Sequence, residues 1–161
     1  MLKEQLKLLY TTSTVLTSAQ AVGGTEAAVL AATTTFYAKV FADPILSVMF
    51  RSHDESHAYK LALFVMNFME ITDKFFRVSS ISTLHAVHHT AQQLPSRASA
   101  PPGAGCPGGN FTASQRDAWK SHFVAAFKEH GMRGGLLQDM ADFVDRGMRF
   151  YGPFVADRGG K

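Results

Sequence analysis

The sequence predicts an all-α protein built as one domain. Three observations lead there. Apolar residues recur at helical spacing through most of the chain, and strand-like alternation is scarce. The 161 residues, 46% hydrophobic and 18% charged, suffice for one real core. The long Pro/Gly-rich stretch at 93–110 is not a domain linker, because neither flank could fold alone.

Taken in order, residues 1–20 form an N-terminal extension. They carry Lys3, Lys7 and several Ser and Thr with one acid, Glu4, as organelle transit peptides do, but no Arg. A disordered arm or a short helix over residues 2–10 fits them. The domain itself spans 21–152. Gly23-Gly24 punctuate before the first strong helix, with Thr25 and Glu26 at its start. Val29, Leu30, Thr33, Phe36, Tyr37, Val40 and Phe41 share its stripe, and Asp43-Pro44 ends it, because proline disfavours helix in the preceding residue. A short turn follows with Ile45, Leu46, Met49 and Phe50.

A second helix runs from about Glu55 to Met69, with His57, Leu61, Phe64 and Phe68 on one stripe. Residues 70–80 are mixed. Residues 81–92 give a short helix with the stripe Ile81, Leu84, His85, His88. The segment from Gln93 to Asn110 holds four prolines and four glycines and is an extended loop, either an insertion or a mobile functional segment. A helix from about Ala113 to His130 places Trp119, Phe123 and Phe127 four apart, with Ser114 as its N-cap and Gly131 as its stop. The last helix, about Leu136 to Tyr151, turns Leu137, Met140, Phe143, Val144 and Met148 inward and ends at Gly152-Pro153. Residues 153–161 are a flexible tail.

The 13 Phe and 7 Met, against 1 Trp and 4 Tyr, suit an irregular cavity and a flat apolar ligand, or simply a greasy core. A formal net charge of +3, without a dense run of Lys or Arg, argues against a nucleic-acid partner. No apolar stretch approaches the ~20 residues that span a bilayer. A single cysteine, Cys106, excludes an internal disulfide and fits a reducing, cytoplasmic compartment.

Five of the seven histidines lie between residues 53 and 89: His53, His57, His85, His88 and His89. A lone histidine is ordinarily a satisfied core or surface residue. His57 and His85, however, lie on two separate apolar stripes, and Tyr37 lies on a third. That is the pattern of an apolar pocket with a few inward polar groups. Imidazole also holds iron well.

These residues carry a resemblance. Gly23-Gly24, then Phe36-Tyr37-Ala38-Lys39-Val40-Phe41-Ala42-Asp43-Pro44-Ile45-Leu46, then Phe50, Lys60-Leu61-Ala62-Leu63-Phe64 and Thr72-Asp73-Lys74-Phe75 occur in that order. Gln115-Arg116-Asp117-Ala118-Trp119 and Phe127-Lys128-Glu129-His130-Gly131 follow. Over roughly residues 22–150 the chain resembles the truncated haemoglobins, most closely group I. The resemblance implies a two-over-two helical sandwich, a haem b cofactor and His85 as the iron ligand. It implies that Tyr37 donates its hydroxyl to a bound diatomic, which a donor in a dry pocket stabilises. Phe50 would wedge against the haem, His57 and Leu61 would face the ligand, and Lys60 would reach a propionate. Phe64, Leu84 and Trp119 would complete the pocket. Each has a plainer role open to it: core packing for Phe50 and Trp119, a backbone hydrogen bond for Tyr37, solvation for Lys60.

The chain also departs from group I. Trp119 stands where an aliphatic residue is usual, as in groups II and III. Glu70-Ile71 replace the glycine pair after the distal helix, and Leu61 replaces a distal glutamine. Counting back from Arg116 to Trp119 by the group II pattern reaches Cys106 as a rival iron ligand, though Pro and Gly make a poor rigid mount. His88 and His89 are the other rivals.

The function implied is reversible binding of O2, NO or CO. It extends to redox conversion of nitric oxide to nitrate, with a reductase as electron donor. His57 could itself ligate the iron, giving six coordination. Two other functions stay open: a globin-fold sensor or interaction protein without haem, and a zinc site built from His85 and His88 with His53, His57 or Cys106. Hydrolase and phosphate-loop signatures are absent, since there is no nucleophile elbow and the glycine pairs lack a strand–loop–helix context.

Overall fold

A computed structural model describes residues 26–53, 56–69, 80–105 and 108–156, with only the backbone at 56, 81, 85 and 99. The N-terminal extension, Glu70-Ile71, the Thr72–Phe75 motif and Cys106 lie outside the described residues. The described residues form five helices: α1 (Glu26–Ala42), α2 (Ser56–Phe68), α3 (Ile81–Gln92), α4 (Ala113–Glu129) and α5 (Gly134–Met148). Short 3-10 turns lie at Ser47–Met49, Pro95–Ser99 and Arg149–Tyr151. Among the described residues there is no strand, only one isolated bridge, Thr112 to Val155.

Helix α1 is central because its stripe is apolar to the end. Val29, Ala32, Thr33, Phe36, Tyr37 and Val40 are all buried. It packs against both α2 and α4, and α4 packs against α5. Polar clasps set the register of α1 on α4: Lys39 to Glu129 at 2.8 Å, Thr35 to His130 at 2.7 Å, and Asp43 to His122 at 2.8 Å. Asp43 also ends α1, its Oδ1 accepting the Ile45 N–H at 2.8 Å. In α2 the buried face is Ala58, Ala62, Leu63, Val65 and Met66. Phe64 and Phe68 meet Phe143 of α5 at 5.7 and 5.2 Å between ring centroids.

Helix α4 begins differently from the sequence expectation. Thr112, not Ser114, is the N-cap: its hydroxyl accepts the Gln115 N–H while the Gln115 side chain accepts the Thr112 N–H. A reciprocal cap satisfies two orphan amide groups, which a lone serine two residues later would not. The helix stops where expected. Gly131 adopts φ +88°, its N–H reaching the Lys128 carbonyl and the Met132 N–H the Phe127 carbonyl.

Helix α3 is set apart. Ser80 caps it, accepting the Thr83 N–H at 3.1 Å. Yet among the described elements it packs closely against no other helix. The loop after it is ordered around a buried cation. Arg97, 1% exposed, donates to the carbonyls of Gln92, Gly109, Asn110 and Ala104 at 2.8, 2.9, 3.1 and 3.3 Å. Gln115 adds a donation to Ala104 at 2.8 Å, and Thr112 one to Gly103.

Just past Pro153 the backbone is held at Val155. The Val155 N–H donates to the Phe111 carbonyl at 3.0 Å, and the Val155 carbonyl accepts from Ala113 at 2.9 Å. Backbone groups do this, so no side-chain pattern announced it.

Candidate functional site

An aromatic cluster forms where α1, the 47–50 turn, α2 and α4 converge. Tyr37 is its hub, edge-on to Phe36 at 5.0 Å, Phe50 at 5.9 Å and Trp119 at 6.1 Å. His57 lies nearly parallel to Tyr37 at 5.6 Å. Phe50 and Trp119 lie parallel at 6.4 Å, and Phe41 meets Phe50 edge-on at 5.2 Å. Helical spacing accounts for the convergence. Phe36 and Tyr37 belong to the inward stripe of α1, Trp119 lies one turn before Phe123 on α4, and the α1 stop at Asp43-Pro44 folds Phe50 back over the group.

Tyr37 is the chemically distinctive member. Burial pushes its phenol well above the ordinary value of 10.0, and the charge of a nearby ionised Tyr151 would raise it further. It is therefore neutral and a donor at physiological pH.

His57 contacts the Ser52 carbonyl through Nε2 at 3.2 Å. A carbonyl only accepts, so Nε2 carries the proton and Nδ1 the lone pair of the neutral ring. Leu61 and Phe64, both half-buried, continue the α2 edge from His57 and pack on the core. Lys60 is exposed, as is His53, whose ring stacks on Phe41 at 4.4 Å.

On α3 the backbone carries His85, Leu84, His88 and His89. Leu84 and His88 are half-buried and His89 is exposed. His88 Nδ1 donates to the Leu84 carbonyl at 2.8 Å. Nε2 is thereby left as the lone-pair nitrogen of the neutral imidazole, the tautomer a metal ligand requires. The ring lies flat on Tyr151, 4.0 Å between centroids and 16° between planes. Among the described residues no group of three His, Cys, Asp or Glu side chains could hold a metal ion.

Five of the residues singled out in the sequence thus share one constellation or its rim: Tyr37, Phe50, His57, Leu61 and Trp119. Phe64 stands further along α2, against Phe68 at 4.7 Å and Phe143. Phe41 and Tyr151 were not singled out as site residues. Phe41 lay on the α1 stripe and read as core, and Tyr151 read as a helix end.

No protein-family model, no curated protein and no solved structure matches the chain.

Proposed function

We propose that this chain is a haem-binding globin of the truncated type that binds O2, NO or CO reversibly. In this reading α1 with α2 and α4 with α5 are the two layers of the sandwich, and haem b lies between the aromatic cluster and α3. The observation that carries it is the neutral phenol of Tyr37, buried among Phe50, His57 and Trp119, in a chain whose histidine-bearing helix α3 packs closely against no other described helix. An apolar wall carrying a neutral phenol donor suits a flat ligand whose bound gas accepts a hydrogen bond.

Haem, when bound, supplies an iron with an open position for a diatomic and the one-electron chemistry that nitric oxide dioxygenation would need from a reductase. The chain's residues would do the rest. Tyr37 donates toward the gas, and Trp119 offers its indole N–H from α4. Phe50 shields one face from water, Leu61, Phe64 and Leu84 line the slot, and Lys60 reaches the propionate edge from the exposed side of α2. The iron ligand comes from α3. The sequence resemblance points to His85; the observed tautomer-fixing bond favours His88 as a second candidate.

The test is the absorption spectrum of the full chain after adding one equivalent of haemin, ferric and then ferrous. An intense Soret band that shifts on reduction is expected. His85→Ala and His88→Ala, recorded separately, identify the ligand by which one alters the ferrous spectrum. A spectrum identical to free haemin overturns the reading and leaves a globin-like sensor or interaction protein. Stoichiometric zinc in the purified chain would favour a zinc centre instead.

A further inference from the structure

Tyr151 closes the turn after α5 and is the aromatic residue against which His88 rests. Two restraints on the imidazole are seen among the described residues. The bond from Nδ1 to the Leu84 carbonyl sets its rotation and its proton. The Tyr151 face, 4.0 Å away and within 16° of parallel, sets its plane. Tyr151 is itself held from behind, because the chain four residues on pairs Val155 with Phe111 and Ala113 and brings the turn back to the start of α4. Since α3 packs closely against no other described helix, this stack ties it to the C-terminal end of the bundle.

We propose that Tyr151 is a positioning residue for the α3 imidazole at His88, fixing the plane and tautomer in which Nε2 is presented to haem. This rests on the haem-binding reading above, with His88 rather than His85 as the iron ligand. A ligand ring needs an outer partner that orients it, and losing such a partner weakens metal binding. Here the helix carbonyl supplies the hydrogen bond and an aromatic face the second restraint. The contact to His88 is planar, so a phenylalanine, which keeps the ring, should serve in this role.

The experiment compares Tyr151→Phe, Tyr151→Leu and Tyr151→Met in the full chain, each checked for helicity by circular dichroism. In the haem-free protein, long-range proton–nitrogen NMR of the histidine rings reads the His88 tautomer. The Nδ1–H form should dominate in the parent and in Tyr151→Phe, and should mix with the other tautomer in Tyr151→Leu and Tyr151→Met. In the haem-loaded protein, transfer of haem to an excess of scavenger protein should be about 10-fold faster for Tyr151→Leu. The iron–histidine Raman band should move as well, and Tyr151→Phe should restore both. In a His88→Ala background, Tyr151→Leu should add nothing, the coupling expected of a pair in contact.

Unchanged haem loss and an unmoved Raman band in Tyr151→Leu overturn the proposal. So does an effect that persists undiminished in the His88→Ala background, because Tyr151 would then act elsewhere. If the parent chain takes up no haem, the functional reading fails. The NMR arm still decides on Tyr151: mixed tautomers in the parent, or none gained on losing the ring, reject it.

Discussion

Tyr37 joins stability and chemistry in one side chain. Its burial keeps the phenol neutral, and therefore a donor, beside Phe50, His57 and Trp119. Replacing it with Phe in the haem-loaded chain removes that donor at almost constant volume. A hydrogen bond to a charge-bearing ligand is worth about 1.5–3 kcal/mol, so O2 dissociation in Tyr37→Phe should be roughly 10- to 150-fold faster by stopped-flow. An unchanged rate would return Tyr37 to a packing role. The sign of its pH dependence is also determined. The folded state raises this pKa, so the unfolded chain releases its proton first as pH rises. The stability contribution is full below the ordinary value of 10.0 and is lost as pH climbs above it. Urea unfolding should therefore show a decline above about pH 10 that is shallower in Tyr37→Phe. The stripe position of Tyr37 was legible in the sequence, since helical spacing is a local property. Its ring partners were legible only through resemblance, because Phe50 and Trp119 reach it across chain separations that spacing says nothing about.

Element boundaries were the most readable feature wherever the stop signal is a backbone requirement. Asp43-Pro44 ends α1, and Gly131 at φ +88° ends α4, as a proline and a left-handed glycine should. The 93–110 loop was read only as an insertion or a mobile segment, and the reason is physical. Its organiser is one arginine whose partners are main-chain carbonyls, and carbonyls leave no trace in residue type. Four charge-assisted bonds from a 1%-exposed guanidinium join the end of α3 at Gln92 to the approach of α4 at Asn110. Arg97→Met keeps much of the apolar stem and strands those carbonyls. It should cost on the order of 3 kcal/mol in denaturant unfolding. Gly105 tests the same hub from the backbone side. It adopts φ +76°, and a Cβ there would meet Arg97 Nη2 at 2.4 Å. Gly105→Ala should lose about 1–3 kcal/mol through strain at the left-handed position and displacement of the guanidinium. A change within about 0.5 kcal/mol in either variant, the range of ordinary surface substitutions, would mean the loop contributes nothing to the body's stability.

At the scale of the molecule the packing is uneven, and the unevenness is informative. Helices α1, α2, α4 and α5 share one core of Phe, Leu, Met and Val, including Phe36, Leu63, Met66, Phe123, Phe127 and Phe143. Among the described residues, helix α3 reaches that body through Gln92, whose carbonyl accepts from Arg97, and through the His88–Tyr151 stack. A segment with few buried apolar contacts opens locally at low free energy, while a core helix opens only near the global limit. Amide hydrogen exchange on the haem-free chain should therefore find α1 and α4 slowest and α3 fastest among the five helices. A ligand seated between α3 and the aromatic cluster binds the closed state and not the open one, so saturating haemin should slow exchange in α3 far more than in α4. At a haemin concentration 100 times its dissociation constant, linkage adds about 2.7 kcal/mol to whatever opening exposes the ligand, roughly a hundredfold in exchange rate. Equal protection of α3 and α4 without haemin would show that α3 is a core element after all, and the haem position proposed beside it would then have no energetic signature.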